Sequence, residues 1–307
     1  MIAGLLALVA CSAGGSDGVA ACRPDLWSDI PVDVSHSGVA LIGARVDGRP
    51  ATMVLDTGAE TTVITADAAS RLGVERSFEH PRTMQGASGQ SVGGLTVPVT
   101  FSFGDVGTRG ARLIVGVFPL PVVAGEQLDG LLGADLLGAT DVDLDLPHGR
   151  IRLYRPLAPE CGPPRATTLP PGFGADPAIV PMAPGPLARV VLPVALNGHM
   201  LLAVLDSGAS ASTVSLRGAA AAGVSADDLE HAPSISTHAA SETLFSAHLH
   251  RFDELQVGPE STARPVLLVG PLDLGQPDML LGLDYLRAHR VYLAFATRRV
   301  VIAPAGR

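Results

Sequence analysis

Two short stretches carry residue types that could do chemistry together. The first is Val54-Leu55-Asp56-Thr57-Gly58-Ala59, and the second, 150 residues later, is Val204-Leu205-Asp206-Ser207-Gly208-Ala209. Each is an apolar run that ends in a carboxyl, a hydroxyl and a glycine. A second pair of landmarks follows at almost the same spacing: Leu131-Leu132-Gly133-Ala134-Asp135-Leu136-Leu137 and Leu280-Leu281-Gly282-Leu283-Asp284-Tyr285-Leu286. Two separated landmarks at nearly one offset mean an internal duplication. Two Asp residues brought together by such a duplication have a definite chemistry. Held a few ångströms apart they cannot both ionise, so one is an acid while the other is a base. The base can take a proton from a water and the acid can donate one to a carbonyl oxygen, which together hydrolyse an amide without a covalent intermediate.

The order apolar-apolar-Asp-Thr/Ser-Gly-Ala, followed by Leu-Leu-Gly, resembles the retropepsin-like aspartic proteases, over most of residues 30 to 305. One such domain is normally half an enzyme, and this chain looks like two halves fused. The resemblance implies an all-β fold of two retropepsin-like β-barrel domains related by a pseudo-twofold axis. It implies a catalytic dyad of Asp56 and Asp206, a protein or peptide substrate, and an aspartic endopeptidase that uses no cofactor and no metal. It gives Gly58 and Gly208 the role of letting backbone amides approach the carboxylates. Thr57 and Ser207 would hydrogen-bond across to the opposite loop. The Leu-Leu-Gly elements would pack beneath the loops. The hairpin tip Gly86-Ala87-Ser88-Gly89 falls where the family carries its flap. Ser236 to Thr243 falls at the corresponding place in the second repeat and lacks a glycine-rich tip. Glu60 matches an acidic position common in the family, where the second repeat has Ser210. Neither Leu-Leu-Gly is followed by the Arg typical of the viral enzymes, which weakens the expectation of their acid–Arg dimer contact but leaves the dyad.

Other readings stand beside this one. A single Asp-Ser-Gly is usually a turn, and a duplicated fold can lose activity and bind extended peptide in its cleft. Each repeat could also pair with another chain, but duplication within one chain favours a monomer with an intramolecular pseudo-dimer. His248 and His250 share a strand face near His231 and His238; metal ligation needs three or four convergent ligands, and these read as surface or flap histidines. Asp141, Asp143 and Asp145 lie on one strand face, where a solvated strand edge is a simpler reading than a calcium site.

The elements that must position the dyad are short strands. In the first repeat they run Val39–Val46, the turn Asp47-Gly48, Ala51–Leu55, Thr61–Ile64, a helix over 66–72 stopped by Gly73, and then strands to Tyr154. The second repeat starts at Ala188, turns at Asn197-Gly198 and follows the same order. Between them, Pro156 to Pro186 holds ten prolines and reads as a stiff linker. The expected organisation is a leader and tether over 1–28, domain one over 29–158, linker over 159–186 and domain two over 187–307.

The bulk properties bound the rest. A length of 307 residues suits two domains, and 47% hydrophobic against 17% charged residues suits a packed core. The net charge is −9 and Lys is absent, which argues against nucleic acid as a partner. The run Met1 to Ala10 is too short for a membrane anchor and reads as a signal-peptide core. Leu8-Val9-Ala10-Cys11 is similar to a bacterial lipoprotein box that would place a lipid anchor on Cys11; cleavage before Ser16 or near Ala21 is the alternative. Both readings export the protein, to the periplasm in a bacterium. With Cys11 lipidated, Cys22 and Cys161 remain to pair in an oxidising compartment, the alternative being two free thiols.

Overall fold

A computed structural model describes residues 22–34, 38–86, 89–116, 120, 122–123, 126–184, 189–238 and 244–305. The architecture is all-β and built from two sheets of nine strands and one of six, with a separate two-stranded ribbon. In the first nine-stranded sheet the spatial order is Arg76–Gly86, Gly89–Thr96, Ile114–Gly116, Val63–Thr65, Gly130–Leu132, Arg49–Leu55, Leu41–Val46, Val99–Phe103, Val106–Ala111. The second repeats that order strand for strand, from Ser234–His238 through Met279–Leu281 and His199–Leu205 to Glu260–Ala263. The duplication in the sequence is thus a duplication of topology. Among the described residues neither sheet pairs its first strand with its last.

The local signals have local causes. Asp47-Gly48 and Asn197-Gly198 take positive φ at both positions, 47° and 78° in the first turn and 50° and 77° in the second. That is the backbone a two-residue hairpin needs, and Asn, Asp and Gly adopt it most readily. Val191–Leu196 alternates half-buried and buried positions, the period of a strand with one face on the core. The helix Ala66–Arg71 starts where the Thr65 side chain accepts from the Ala68 amide, and Leu216–Ala221 starts where Ser215 accepts from the Gly218 amide.

The six-stranded sheet joins the halves. Its order is Asp25–Pro31, Arg150–Arg155, Asp141–Asp145, His289–Ala294, Arg299–Pro304, Ala178–Pro181. The first half supplies the first three strands and the second half the last three, in mirrored order. The two central strands pair antiparallel with Asp143 opposite Tyr292, which are equivalent positions of the two repeats, so the pseudo-twofold passes between them. Two expectations change here. Strand structure begins at Asp25, inside the stretch read as tether. Ala178–Pro181 is a strand inside the stretch read as linker, paired with Arg299–Pro304.

The acids of Asp141–Asp145 are also corrected. They do not lie on a solvated edge: Asp141 and Asp143 are 0% exposed and Asp145 4%. Asp143 accepts from Arg290 Nε at 2.9 Å and Nη2 at 2.6 Å. Asp145 accepts from Arg152 Nη1 at 2.9 Å. Asp141 accepts from the amide of Phe295 at 3.0 Å and from Tyr292 Oη at 3.3 Å. A strand of alternating acids is buried because Arg290 and Tyr292 of the other half and Arg152 of its own half bring cations and a hydroxyl to it.

Cys22 and Cys161 form a disulfide with Cα atoms 5.4 Å apart. It ties the chain just ahead of the outermost first-half strand to the segment that leaves the first half. Cys11 lies outside the described residues.

Candidate active site

Asp56 and Asp206 each stand at the end of a central strand. The strand Arg49–Leu55 pairs in parallel with Gly130–Leu132, and His199–Leu205 with Met279–Leu281. The Leu-Leu-Gly elements therefore lie beside the strands that carry the Asp residues, and they hold the exit: the Asp56 amide donates to Leu132 O at 3.0 Å and the Asp206 amide to Leu281 O at 2.8 Å. Their glycines have a steric reason. A Cβ on Gly133 would lie 2.7 Å from the Thr61 carbonyl carbon, and one on Gly282 would lie 2.6 Å from that of Ala211.

Beyond each Asp the chain folds back on its own carboxylate. Asp56 Oδ1 accepts from the amides of Gly58 at 3.0 Å and Ala59 at 2.8 Å. Asp206 Oδ1 accepts from Gly208 at 2.9 Å and Ala209 at 3.1 Å. One oxygen of each carboxyl is thus fixed by backbone amides. The two loops meet face to face. A Cβ on Gly58 would lie 2.4 Å from the Asp206 carboxyl carbon, and a Cβ on Gly208 would lie 2.5 Å from that of Asp56. No residue with a side chain could let the opposite carboxyl come so close.

The hydroxyls lock the loops reciprocally. Thr57 Oγ1 donates to Leu205 O at 2.7 Å and accepts from the Ser207 amide at 3.1 Å. Ser207 Oγ donates to Leu55 O at 2.7 Å and accepts from the Thr57 amide at 3.1 Å. Both residues are essentially fully buried. Four hydrogen bonds across the pseudo-twofold fix the distance between the two Asp residues, and water cannot compete for them.

The two loops bring the carboxyls together closely enough for each to bear on the other's ionisation. Burial raises the pKa of both from the ordinary carboxylate value, and the charge of Asp206 adds to burial in pushing Asp56 well above it. Against burial, Asp206 is held down by the Gly208 amide, the Asp56 side chain, the Ala209 amide and the charge of Arg189. The protons of two such coupled carboxyls belong to the pair and not to either residue. The arrangement offers an acid and a base within reach of one substrate carbonyl.

The sequence profile of the aspartyl protease family matches the chain twice, over residues 42–136 and 192–285. Together these cover well over half of it. The chain belongs to the aspartyl protease family. A search of curated proteins finds no match. The family implies a protein or peptide substrate.

Some residues of the site escaped the sequence reading. Thr62 Oγ1 donates to Asp135 Oδ1 at 2.7 Å and accepts from the Gly133 amide at 3.1 Å. Ser212 does the same with Asp284, at 2.7 Å, and with the Gly282 amide, at 3.0 Å. These pairs brace each Asp loop against its one-turn helix, Ala134–Leu137 or Leu283–Leu286. Their signal was present, since Thr62/Ser212 and Asp135/Asp284 recur at the offsets of the duplication. Arg189 was missed as well. Its Nε lies 2.9 Å from Glu60 Oε1, an ion pair between the halves. An acid–Arg contact between the halves therefore exists although neither Leu-Leu-Gly is followed by Arg.

Of the first-repeat flap, Gly86 and Gly89 face each other as a pair at the end of the hairpin Arg76–Gly86 and Gly89–Thr96, while Ala87 and Ser88 lie outside the described residues. In the second repeat the equivalent hairpin is Ser234–His238 with Leu244–Arg251.

Proposed function

We propose that the protein is a single-chain aspartic endopeptidase that hydrolyses peptide bonds in exported proteins, with Asp56 and Asp206 as its dyad. One observation carries the proposal: the two Asp loops meet face to face at the junction of the halves, locked by reciprocal Thr57 and Ser207 hydrogen bonds, so that the half-buried carboxyls of Asp56 and Asp206 bear on each other's ionisation. A substrate carbonyl seated there meets both partners that hydrolysis needs. The ionised carboxylate takes a proton from water, the water oxygen attacks the carbonyl carbon, and the protonated carboxyl donates to the carbonyl oxygen. This is the proton-sharing logic generally attributed to aspartic proteases. The proton taken from water then goes to the leaving amine as the C–N bond breaks.

Export is supported by the apolar run over residues 2–10 and by the Cys22–Cys161 disulfide. Retention by a lipid on Cys11, or release into the periplasm after signal cleavage, both fit. Pairing of the halves within one chain is supported by the shared sheet, where acids of the first half meet Arg290 and Tyr292 of the second.

The test is cleavage of a library of extended peptides by the full chain, with products read by mass spectrometry. Cleavage that pepstatin blocks is expected. Binding of the same peptides without cleavage would mark a peptide-binding member of the family, and pepstatin-resistant cleavage would remove the dyad from the chemistry.

A further inference from the structure

A strict twofold would make the two carboxyls interchangeable. One charge pair near them breaks that equivalence. Arg189, whose side chain is 17% exposed, reaches across the junction to Glu60, 38% exposed. The equivalent positions 150 residues away are Val39 for Arg189 and Ser210 for Glu60, and neither bears a charge. The backbone places the two sites alike. Val190 O accepts from the Leu205 amide at 2.9 Å and Ala40 O from the Leu55 amide at 2.7 Å. Arg189 is thereby anchored beside the strand end that carries Asp206, and Val39 beside the one that carries Asp56. The 2.9 Å approach of Arg189 Nε to Glu60 is an ion pair without hydrogen-bond geometry, and that buried Nε has no hydrogen-bond partner among the described residues.

The other charged groups around the dyad are balanced or engaged elsewhere. The Leu-Leu-Gly elements bring Asp135 and Asp284, bound alike to Thr62 and Ser212. Arg287, after the second one-turn helix, donates to the Val34 carbonyl. The loops themselves bring only Glu60, against a neutral Ser210.

We propose that the Glu60–Arg189 pair polarises the dyad, so that Asp206 is the carboxylate that takes the proton from water and Asp56 is the carboxyl that donates to the substrate carbonyl. This rests on the endopeptidase reading above. Arg189 acts through Asp206 and is a positioning residue. The cation stabilises the ionised form of Asp206, while Glu60, four residues beyond Asp56 on the other loop, disfavours a second negative charge there. Proton movement is then directional. Water gives its proton to Asp206 and its oxygen to the carbonyl carbon; the proton of Asp56 goes to the carbonyl oxygen. When the C–N bond breaks, Asp206 returns its proton to the amine and Asp56 recovers its own from the tetrahedral hydroxyl.

The experiment compares Arg189→Met, Glu60→Gln and Arg189→Lys in the full chain. The acidic limb of kcat/KM reports ionisation of the lower-titrating carboxyl. Arg189→Met is expected to move that limb up by about half a pH unit to one unit. Glu60→Gln is expected to move it down, because Arg189 loses its counter-charge. Arg189→Lys should restore the limb. A merely structural pair would lower the unfolding midpoint in both neutralised variants and leave the limb in place or move it the same way in both; either result overturns the proposal. A second readout needs no activity: carboxyl-carbon NMR titration of 13C-Asp-labelled protein, assigned with Asp56→Asn and Asp206→Asn. Asp206 is expected to titrate below Asp56 in the wild type, and the reverse order overturns the proposal. If the wild type cleaves nothing, the endopeptidase reading fails while the carboxyl signals still decide where the proton sits.

Discussion

The two halves agree most closely where they meet at the dyad and differ most where they meet in the shared sheet. At the dyad, Thr57 and Ser207 make matching hydrogen bonds, within 0.1 Å of each other in length. In the shared sheet, equivalent positions carry opposite chemistry: Asp141 against Arg290, Asp143 against Tyr292, Asp145 against Ala294. The contrast follows from what each place must do. A proton-sharing pair needs two like groups in like surroundings. A sheet between halves that must find each other needs unlike groups. Two copies of the first half joined by the same register would set Asp143 directly opposite Asp143, and like charges directly opposite destabilise a strand pair. The sheet therefore favours the fused partner over a second copy, while the dyad retains the symmetry of its origin.

The largest effect should come from breaking the likeness at the dyad. Asp56→Asn and Asp206→Asn are each expected to cut kcat by about 10²–10⁴-fold or more, measured on any peptide the wild type cleaves. Mixing the two variants should restore nothing, because the sheet holds each half to its own partner. Recovery on mixing would show exchange of halves between chains. The pH profile follows from the same pair. Both carboxyls are raised by burial, Asp56 further by the charge of Asp206. The singly protonated state survives until Asp56 loses its proton, so activity should persist above the ordinary carboxylate range and fall only beyond it. A profile that collapses within the ordinary carboxylate range would contradict the shared proton.

What could be read from the sequence follows the same division. The Asp loops and Leu-Leu-Gly elements were legible because their geometry is local. A strand must end, a glycine must admit the opposite loop, and both requirements sit within a few residues, twice. The acids of Asp141–Asp145 were misread because their partner Arg290 lies 147 residues away, and alternation alone cannot tell solvent from an oppositely charged strand. The two outermost strands of the shared sheet, Asp25–Pro31 and Ala178–Pro181, were hidden by their prolines. Each ends in Pro and occupies an edge, where a missing amide costs no ladder hydrogen bond. The Glu60–Arg189 contact was hidden because it belongs to neither repeat alone.

The next effect concerns the unlike partners in the shared sheet. Asp143→Ala takes from Arg290 the carboxylate it binds with two hydrogen bonds, while Arg152 keeps Asp145. Breaking a buried pair from one side costs about 3–5 kcal/mol, read as a fall in the denaturant midpoint with an unchanged slope. The loss should appear in the whole chain at once, since the sheet is common to both halves. Two separate unfolding transitions would show that the halves fold independently, and would weaken the claim that this sheet selects the partner. A loss below about 1 kcal/mol, the range of exposed pairs, would mean that water reaches Asp143.

The smallest effect tests the likeness itself. Thr57→Val and Ser207→Ala each delete a buried hydroxyl that donates to one carbonyl and accepts from one amide of the opposite loop. Each leaves two backbone groups unsatisfied, and each should cost about 1–3 kcal/mol. Because the bond lengths match across the pseudo-twofold, the two losses should agree within the few tenths of a kcal/mol that the extra methyl of Thr57 adds. The exchange Thr57→Ser with Ser207→Thr keeps all four hydrogen bonds and moves one methyl to the other side. It should cost less than either deletion and leave kcat near the wild-type value. A large difference between the single deletions would mean that one loop bears the junction and the other follows. An exchange as damaging as a deletion would mean that packing of the Thr57 methyl, and not the reciprocal hydrogen bonds, sets the spacing of the dyad.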